Sequence, residues 1–293
     1  MDSGELEVFA AVANLRSFSA AARRLTLTTA AVSKAVARLE ARLDTRLFTR
    51  TTRRVVPTSE GEELYAHAQD ILARIAEAEN LVAGGAAGLR GEVRISAPVL
   101  LGQQVLAPLL AELRLSHPQI IIDLRLTDET VDLVRDGIDL ALRLGELADS
   151  GLIARRLATT RFVTCGSPAY LARHGAPQTI DDLADHSCVT YVVQRTGLPF
   201  AWQFASRSFE PTRSVIVGDG GANRACAVAG LGIIQEVDLA VAPDLAAGAL
   251  VPVLNHEAVE GPPLSLVQPA GRFATRRVRA VAEYLAAAMR RRK

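Results

Sequence analysis

The chain is 293 residues long, 49% hydrophobic and 22% charged, with a formal net charge of +1. That length exceeds one ordinary compact domain and predicts two or three, and the composition excludes a disordered chain. The opening stretch MDSGELEVFAAVANLRSFS has no basic segment ahead of an apolar one, and no apolar run reaches membrane-spanning length, so the expectation is a cytoplasmic protein that makes no membrane contact. Cys165, Cys188 and Cys226 are far apart and fit no metal-ligand spacing, which predicts reduced, buried thiols and neither a metal nor a cofactor.

The small net charge conceals an asymmetry. Residues 1–58 hold ten cations against five anions, +5, while the remainder holds 23 against 27, −4. A basic head on an acidic body is the pattern of a chain whose first domain meets a polyanion.

In the head, Leu6, Phe9, Ala10 and Ala13 recur at helical spacing as far as Asn14. Ser17 or Ser19 caps a short second helix, Ala20 to Leu25, whose small residues admit a closely crossing neighbour. Thr28 caps a third helix with Val32, Val36, Leu39 and Leu43 on one face. Its other face carries Thr29, Ala30, Ser33, Lys34, Ala37 and Arg38. Those side chains are short, hydrogen-bonding and basic, as a helix entering a major groove requires; any solvated helix face is also polar, so the helix alone leaves both readings open. The next segment tips the balance: Arg50 to Thr58 reads as a turn bearing Arg50, Arg53 and Arg54 between β-branched residues, a small wing that reaches phosphates or a narrow minor groove. Lysine occurs only at Lys34 and Lys293, against 31 arginines, so a lysine on this face departs from the chain's own habit.

The stretch Phe9, Val12, Ser17-Phe18, Ala21-Ala22, Leu25, Ala31-Val32-Ser33, Leu39-Glu40, Leu43, Leu47-Phe48, Arg50, Thr58 and Gly61 resembles the DNA-binding head of the LysR-type transcriptional regulators, without a gap. Two positions depart from the family pattern. Thr29 stands where a base-contacting glutamine is frequent, and Asp44 where glycine is usual; aspartate tolerates the left-handed turn better than most residues. The resemblance and the face together make Ser17, Thr28, Thr29, Ala30, Ser33, Lys34, Arg38, Arg50, Arg53 and Arg54 the candidate DNA-binding residues.

Glu60, Glu62 and Glu63 then open a long helix with acid, as its dipole favours. Leu64, Ala68, Ile71, Ile75, Ala78 and Val82 step 4, 3, 4, 3, 4, a heptad seam. The seam predicts a partner helix in a dimer; packing on the protein's own body is the alternative for so short a run. A glycine-rich joint, Gly84 to Gly91, ends it.

Beyond the joint, strands and helices alternate: strands at Val93–Ser96, Ile120–Leu126 and Ile138–Leu142, helices at Val105–Leu113 and Val131–Arg135. This predicts a mostly parallel sheet covered by helices, with ligands at the carboxyl ends of its strands. Phe162–Cys165 and Leu264–Val267 read as strands that cross between two halves. Cys188–Val193, Ser214–Val217, Gly232–Ile234 and Leu250–Val253 read as strands of the second half, and Arg276–Met289 as a last helix back on the first. Pro118, Asp136-Gly137-Ile138-Asp139-Leu140-Ala141, Ser167-Pro168-Ala169-Tyr170-Leu171, Asp182 to His186, Trp202-Gln203-Phe204, Ala229 to Ile233 and Gly248 to Val251 are similar to the same family's effector domain. The resemblance implies an all-α winged helix-turn-helix head with a long linker helix, followed by an α/β two-lobed effector domain like that of periplasmic binding proteins.

The expected division is a winged helix-turn-helix domain at 1–58, with the helix-turn-helix at 18–37; a dimerising linker helix at 59–84; a hinge at 85–91; and an effector domain at 92–293. Lobe I would take 92–162 and 268–293, and lobe II 163–267. The implied function is sequence-specific binding of double-stranded promoter DNA, modulated by a small-molecule effector, in a homodimer or homotetramer. By the same resemblance the effector pocket lies near Pro98, Val99, Leu100, Gln103, Thr127, Asp128, Thr196, Phe200, Gly218 and Asp219. Arg143, at a strand end, has a fork suited to a carboxylate, though an ion pair with Asp139 or Glu146 would also account for it. Asp219 caps a helix or faces the cleft. No GxSxG, HExxH, phosphate loop or spaced carboxylate constellation is present, so no residues present themselves for catalysis and the expectation is not an enzyme.

Overall fold

The computed structural model describes residues 2–50, 55–82, 89–146, 151–194, 196–212, 214–270 and 274–291. The head is three helices, α1 (Ser3–Leu15), α2 (Phe18–Leu25) and α3 (Thr29–Leu43), then the antiparallel pair β1 (Phe48–Arg50) and β2 (Val55–Pro57). Each helix starts on a side-chain cap, Asp2, Ser17 and Thr28 in turn. Each also stops on a non-glycine residue in the left-handed region: Arg16 (φ 48°), Thr26 (φ 56°) and Asp44 (φ 48°). Such a turn costs about 1 kcal/mol for a residue with a Cβ, and Thr26 and Asp44 offset it by donating their N–H groups to the last helical carbonyls. Asp44 therefore holds the left-handed conformation expected at that turn. The head closes around Phe9, Val12, Val32, Val36, Leu39 and Leu47, all within 1% of full burial.

The linker helix α4 (Ser59–Val82) runs out of the wing. Its first turn can lie this close because Gly61 has no side chain: a methyl there would overlap the Leu47 carbonyl. The first half of the expected heptad seam is spent inside the subunit, since Ala68 is fully buried in the head core and Leu64 packs against it. Ile71, Ile75 and Ala78 face outward, and the Val82 side chain lies outside the described residues.

The body has two sheets. In the first, β3 (Gly91–Ala97) lies parallel to β4 (Ile120–Leu126) and β5 (Leu140–Leu144), while β15 (Leu264–Pro269) runs antiparallel to β5 and to β6 (Leu152–Ala158). Helical segments α5 (Val99–Leu101), a π-helical turn (Gly102–Leu106) and α6 (Ala107–Ser116) follow β3, and α10 (Arg276–Arg291) closes the same face. The second sheet has the order β12-β8-β13-β7-β14: β7 (Phe162–Gly166), β8 (Cys188–Val193), β12 (Ser214–Val217), β13 (Ile233–Val237) and β14 (Val251–Val253). Around it lie α7 (Pro168–His174), the short strands β9 (Leu198–Pro199), β10 (Trp202–Gln203) and β11 (Ser208–Phe209), α8 (Gly220–Val228) and α9 (Asp238–Ala246). No described helix is long and apolar enough to cross a membrane.

Three expectations need correction. Val131–Arg135 is not helical: Asp132 Oδ1 accepts both the Val134 and Arg135 N–H groups at 3.0 Å, a local turn that competes with a helix, and Gly137 (φ 66°) ends it. The strand expected at Ile138–Leu142 begins two residues later. The chain is back in the first sheet by Leu264, ahead of the expected lobe boundary, and β7 and β15 each lie wholly in one sheet, so the crossings are the segments before β7 and before β15. β6 has no counterpart in the sequence reading because its burial does not alternate.

Because the Gly61 Cβ position is filled by backbone rather than by a movable side chain, Gly61→Ala should destabilise the head by about 1–3 kcal/mol. The expected observation is a lower denaturation midpoint on a head-specific signal, with the body's transition unchanged.

Candidate DNA-binding surface and interlobe cleft

The third helix is positioned from both ends. Thr28 Oγ1 accepts the Ala31 N–H (3.1 Å) and Ser17 Oγ accepts the Ala20 N–H (3.2 Å), so both hydroxyls serve as caps that set the angle between α2 and α3. Val32, Ala35, Val36 and Leu39 are buried, which turns Thr29, Ala30, Lys34, Ala37 and Arg38 to solvent with Ser33 half-buried at the edge. Leu43, expected on the apolar face, is exposed. Lys34 has no ion-pair partner among the described residues, whereas Arg38 lies 3.7 Å from Glu5 and Arg42 donates to Glu5 at 2.7 Å. An unpaired lysine keeps its full charge for a phosphate. Arg50 pairs through its backbone with Val55 in the wing; Arg53 and Arg54 lie outside the described residues.

Glu40, which entered the sequence reading only as part of the family resemblance, has a structural role. Its carboxylate is buried between α3 and the wing, where Oε1 accepts the Leu47 N–H (2.8 Å) and the Phe48 N–H (3.2 Å). Charge-assisted bonds of this kind fix β1 against the recognition helix. Phe48 then packs with its ring tilted against Phe9 at 5.4 Å and edge-on to Phe18 at 5.9 Å. Only position 40 itself hinted at this: a lone acid one residue beyond a core leucine.

In the body, the expected pocket residues come from both sheets. Val99, Leu100 and Gln103 on the first-lobe helix face Gly220 and Gly221 of α8, where added side chains would meet them. Asp128, just past β4, accepts the Val99 N–H at 3.0 Å and also faces the Gly220 N–H, so one carboxylate spans the two lobes. Pro98 occupies the N-cap position of α5, and Thr127 donates its N–H to Ala97. Asp219 caps α8 through the Ala222 N–H (2.8 Å) and stands close enough to Asp128 to raise its carboxyl, after the larger effect of burial. Gly218 accepts from Gln194, and Phe200 packs 5.3 Å from Tyr191 and 5.6 Å from Phe162. Thr196 instead organises an exposed turn, accepting the Leu198 N–H.

Arg143 lies opposite Ser265 in the register and on the reverse face of the sheet from Leu140 and Leu142. Neither expected ion pair forms: Asp139 accepts the Arg94 N–H, and among the described residues Arg143 has no hydrogen-bond or ion-pair partner. Partial burial lowers its pKa, a sign of a cation lacking a counter-charge. Ser96, on the same face, has a fully buried hydroxyl with no partner.

Sequence reasoning missed Glu236, Asn223 and Tyr191. Glu236 is buried behind Gly220 and accepts from Asn223 Nδ2 at 2.8 Å. Desolvation, with a smaller contribution from Asp128, pushes its carboxyl up to about 8, and the same two acids push the Tyr191 phenol up after burial does. Burial raises the thiols of Cys165 and Cys188 to about 12, whereas Cys226 is half-exposed.

The family model for the bacterial regulatory helix-turn-helix protein, lysR family, matches residues 4–62, and that for the LysR substrate binding domain matches residues 86–290. The chain belongs to the LysR family. It is 37% identical over 289 residues, 97% of each chain, to an HTH-type transcriptional regulator, YhjC, of Escherichia coli K12. The solved structure of CrgA, a LysR-type regulator from Neisseria meningitidis, covers 99% of each chain at 32% identity with a TM-score of 0.59. ArgP from Mycobacterium tuberculosis shares the fold, with a TM-score of 0.69 at 21% identity over 99% of this chain. This LysR-type transcriptional regulator thus pairs a DNA-binding helix-turn-helix with a substrate-binding domain and is not an enzyme.

In the unfolded chain Glu236 ionises near 4.5, in the folded chain only near 8. Between those values the unfolded state has lost a proton that the folded state keeps, so this residue's contribution to stability falls as pH rises from about 4.5 to 8. Denaturation at pH 5.5 and pH 8 should show the loss, and Glu236→Gln should remove that part of the pH dependence.

Proposed function

We propose that this regulator binds an interrupted palindrome in its promoter with paired heads, and that a small-molecule effector held between the lobes modulates the binding. The observation that carries the first half is the exposed, short-chained face of α3 with its unpaired Lys34, set by two helix caps and buttressed by Glu40. Ser33, Lys34, Thr29 and Ala30 supply base and backbone contacts in the major groove, and Arg38 supplies a phosphate contact. Arg50, Arg53 and Arg54 take the flanking phosphates or minor groove. Action on promoter DNA assigns the protein to the cytoplasm.

Ile71, Ile75 and Ala78 form the seam for a second copy, which a two-fold operator needs because half-sites stand about 34 Å apart. A tetramer made by further contacts between bodies gives the effector its leverage: closing the cleft changes how the dimers sit and therefore the spacing or bend at which the heads grip DNA. The effect is mutual, since DNA that favours one geometry also favours the ligand state that goes with it.

The effector reading rests on Asp128, which already joins the lobes, and on Arg143, a half-buried cation without a partner among the described residues. The carboxylate of an acidic effector pairs with the planar guanidinium fork of Arg143.

Two experiments test this. Footprinting of DNA upstream of its own gene, at fixed salt, should show a protected two-fold site whose affinity falls about ten-fold or more in Lys34→Ala; protection no better than on random DNA, followed by failed selection from a random pool, refutes the reading. A panel of small mono- and dicarboxylic acids should include one that shifts operator affinity of the native protein. Arg143→Ala should lose that response while keeping basal DNA affinity within about two-fold.

A further inference from the structure

The lobes touch where the start of α8 meets α5. A side chain on Gly220 would stand 3.3 Å from Leu100 Cβ, and one on Gly221 3.3 Å from Val99 Cγ1, so the two helices are in direct contact. Asp128 closes the contact from the side, accepting the Val99 N–H at 3.0 Å and facing the Gly220 N–H. Beneath Gly220, on β13, lies Glu236: its Oε1 stands 3.5 Å from where a Gly220 Cβ would be, and the residue is only 7% exposed. We propose that Glu236 makes this contact proton-dependent: with its carboxyl neutral, α8 stays seated on α5, and with it ionised, the start of α8 lifts and water enters the joint. Such a proton switch goes beyond the effector reading and does not rest on it.

A carboxylate out of water needs a cation or several N–H donors around it. Glu236 has Asn223 Nδ2 at 2.8 Å and the Val237 N–H. From the end of β4 it faces Asp128, on which Asp219 at the start of α8 acts in turn. From β8 and β7 it faces Tyr191 and Cys165, both kept neutral by burial. Arg224, the residue after Asn223, is committed to Asp244 by two charge-assisted bonds. Among the described residues no cation pairs with Glu236. Burial, and after it Asp128, therefore push the Glu236 carboxyl up to about 8.

The direction of the switch follows. Water admitted at the joint removes the desolvation that keeps the proton, and the carboxyl returns toward its ordinary 4.5. Between about 4.5 and 8 the seated form thus holds a proton that the lifted form has released. The ratio of seated to lifted form falls by up to about ten-fold per pH unit as pH rises through that range. An ionised Glu236 also repels Asp128, the carboxylate that bridges the two helices, so the charge that draws in water loosens the bridge as well. The movement is confined to the start of α8, because Val237 and Ala240 on the far side are embedded in the first-lobe core.

Amide hydrogen exchange of the full-length protein from pH 6 to pH 8, corrected for the base catalysis of exchange, reads the lifting even where the lifted form is rare. The amides of Val99 and of Gly220 to Asn223 should exchange through a local opening, faster than the core amides of Ile95 and Ile234, with an opening constant that rises by up to about ten-fold per pH unit. In Glu236→Gln, which keeps the shape and cannot ionise, that constant should not change with pH, while slow core exchange establishes that the variant is folded. Leu100→Ala, which loosens the contact without removing a titrating group, should raise the constant several-fold and keep its pH dependence. Carbon-13 NMR of the glutamate carboxyls should show one that titrates near 8 in the native chain, a readout that stands even if Glu236→Gln does not fold. A pH-independent opening constant in the native chain, an equal slope in Glu236→Gln, joint amides that exchange only together with the core, or no glutamate titrating above the ordinary range overturns the proposal.

Discussion

The structure depends on one helix packing against two different bodies. α4 presses Ala68, with no exposed surface, into the head core and about 14 Å further along, by the 1.5 Å rise per residue, places Glu77 on the N-terminus of α10. A rigid helix with both ends anchored has little freedom to turn without breaking one set of contacts. The orientation of the recognition helix relative to the first lobe is therefore tied to the geometry of α4; residues 83–88 of the expected joint lie outside the described residues. Gly61 and Gly137 occupy the two points of closest approach, one against backbone and one against Gln69 and Arg94. The heptad pattern is divided accordingly: its early members stay within the subunit, and Ile71 and Ile75 remain outside.

In the head, polar groups do positioning work that leaves other polar groups free. Ser17 and Thr28 commit their oxygens to helix starts, Glu40 commits its carboxylate to the wing, and Glu5 holds Arg42 while lying near Arg38. Among the described residues Lys34 has no such obligation. Surface ion pairs are individually weak, about 0–1 kcal/mol, so the pairing near Arg38 is easily exchanged for a phosphate.

The two lobes meet through acids placed under helix starts. Asp128 takes N–H groups at the beginnings of α5 and α8, Asp219 caps α8, and Glu236 sits behind them with Asn223. Helix N-termini favour negative charge, but three acids so close also oppose one another, and burial leaves Glu236 protonated at neutral pH. The joint is thus polar and finely balanced rather than a continuation of the apolar core, although Val237 and Ala240 carry that core across from one lobe to the other. Arg143, with no counter-charge among the described residues, lies on the face of the first sheet opposite Leu140 and Leu142.

Local chemistry made much of this legible in the sequence. Caps at Ser17 and Thr28, the left-handed turn at Asp44, the strands at Ile120–Leu126 and Ser214–Val217 and the final helix from Arg276 all follow from patterns within a few residues. The helix expected at Val131–Arg135 failed for an equally local reason, the Asp132 side chain competing for the backbone. What the sequence by itself determined was the order of elements, the polar face of α3 and the family to which those residues point. Only tertiary structure decided that Ala68 belongs to the head core, that Glu40 supports the wing, that Arg143 lacks the ion pair its neighbours offered, and that Glu77 reaches α10 from 199 residues away. Periodicity records which face of a helix is apolar, but burial, pairing and pKa depend on what packs against that face, and those partners come from distant parts of the chain.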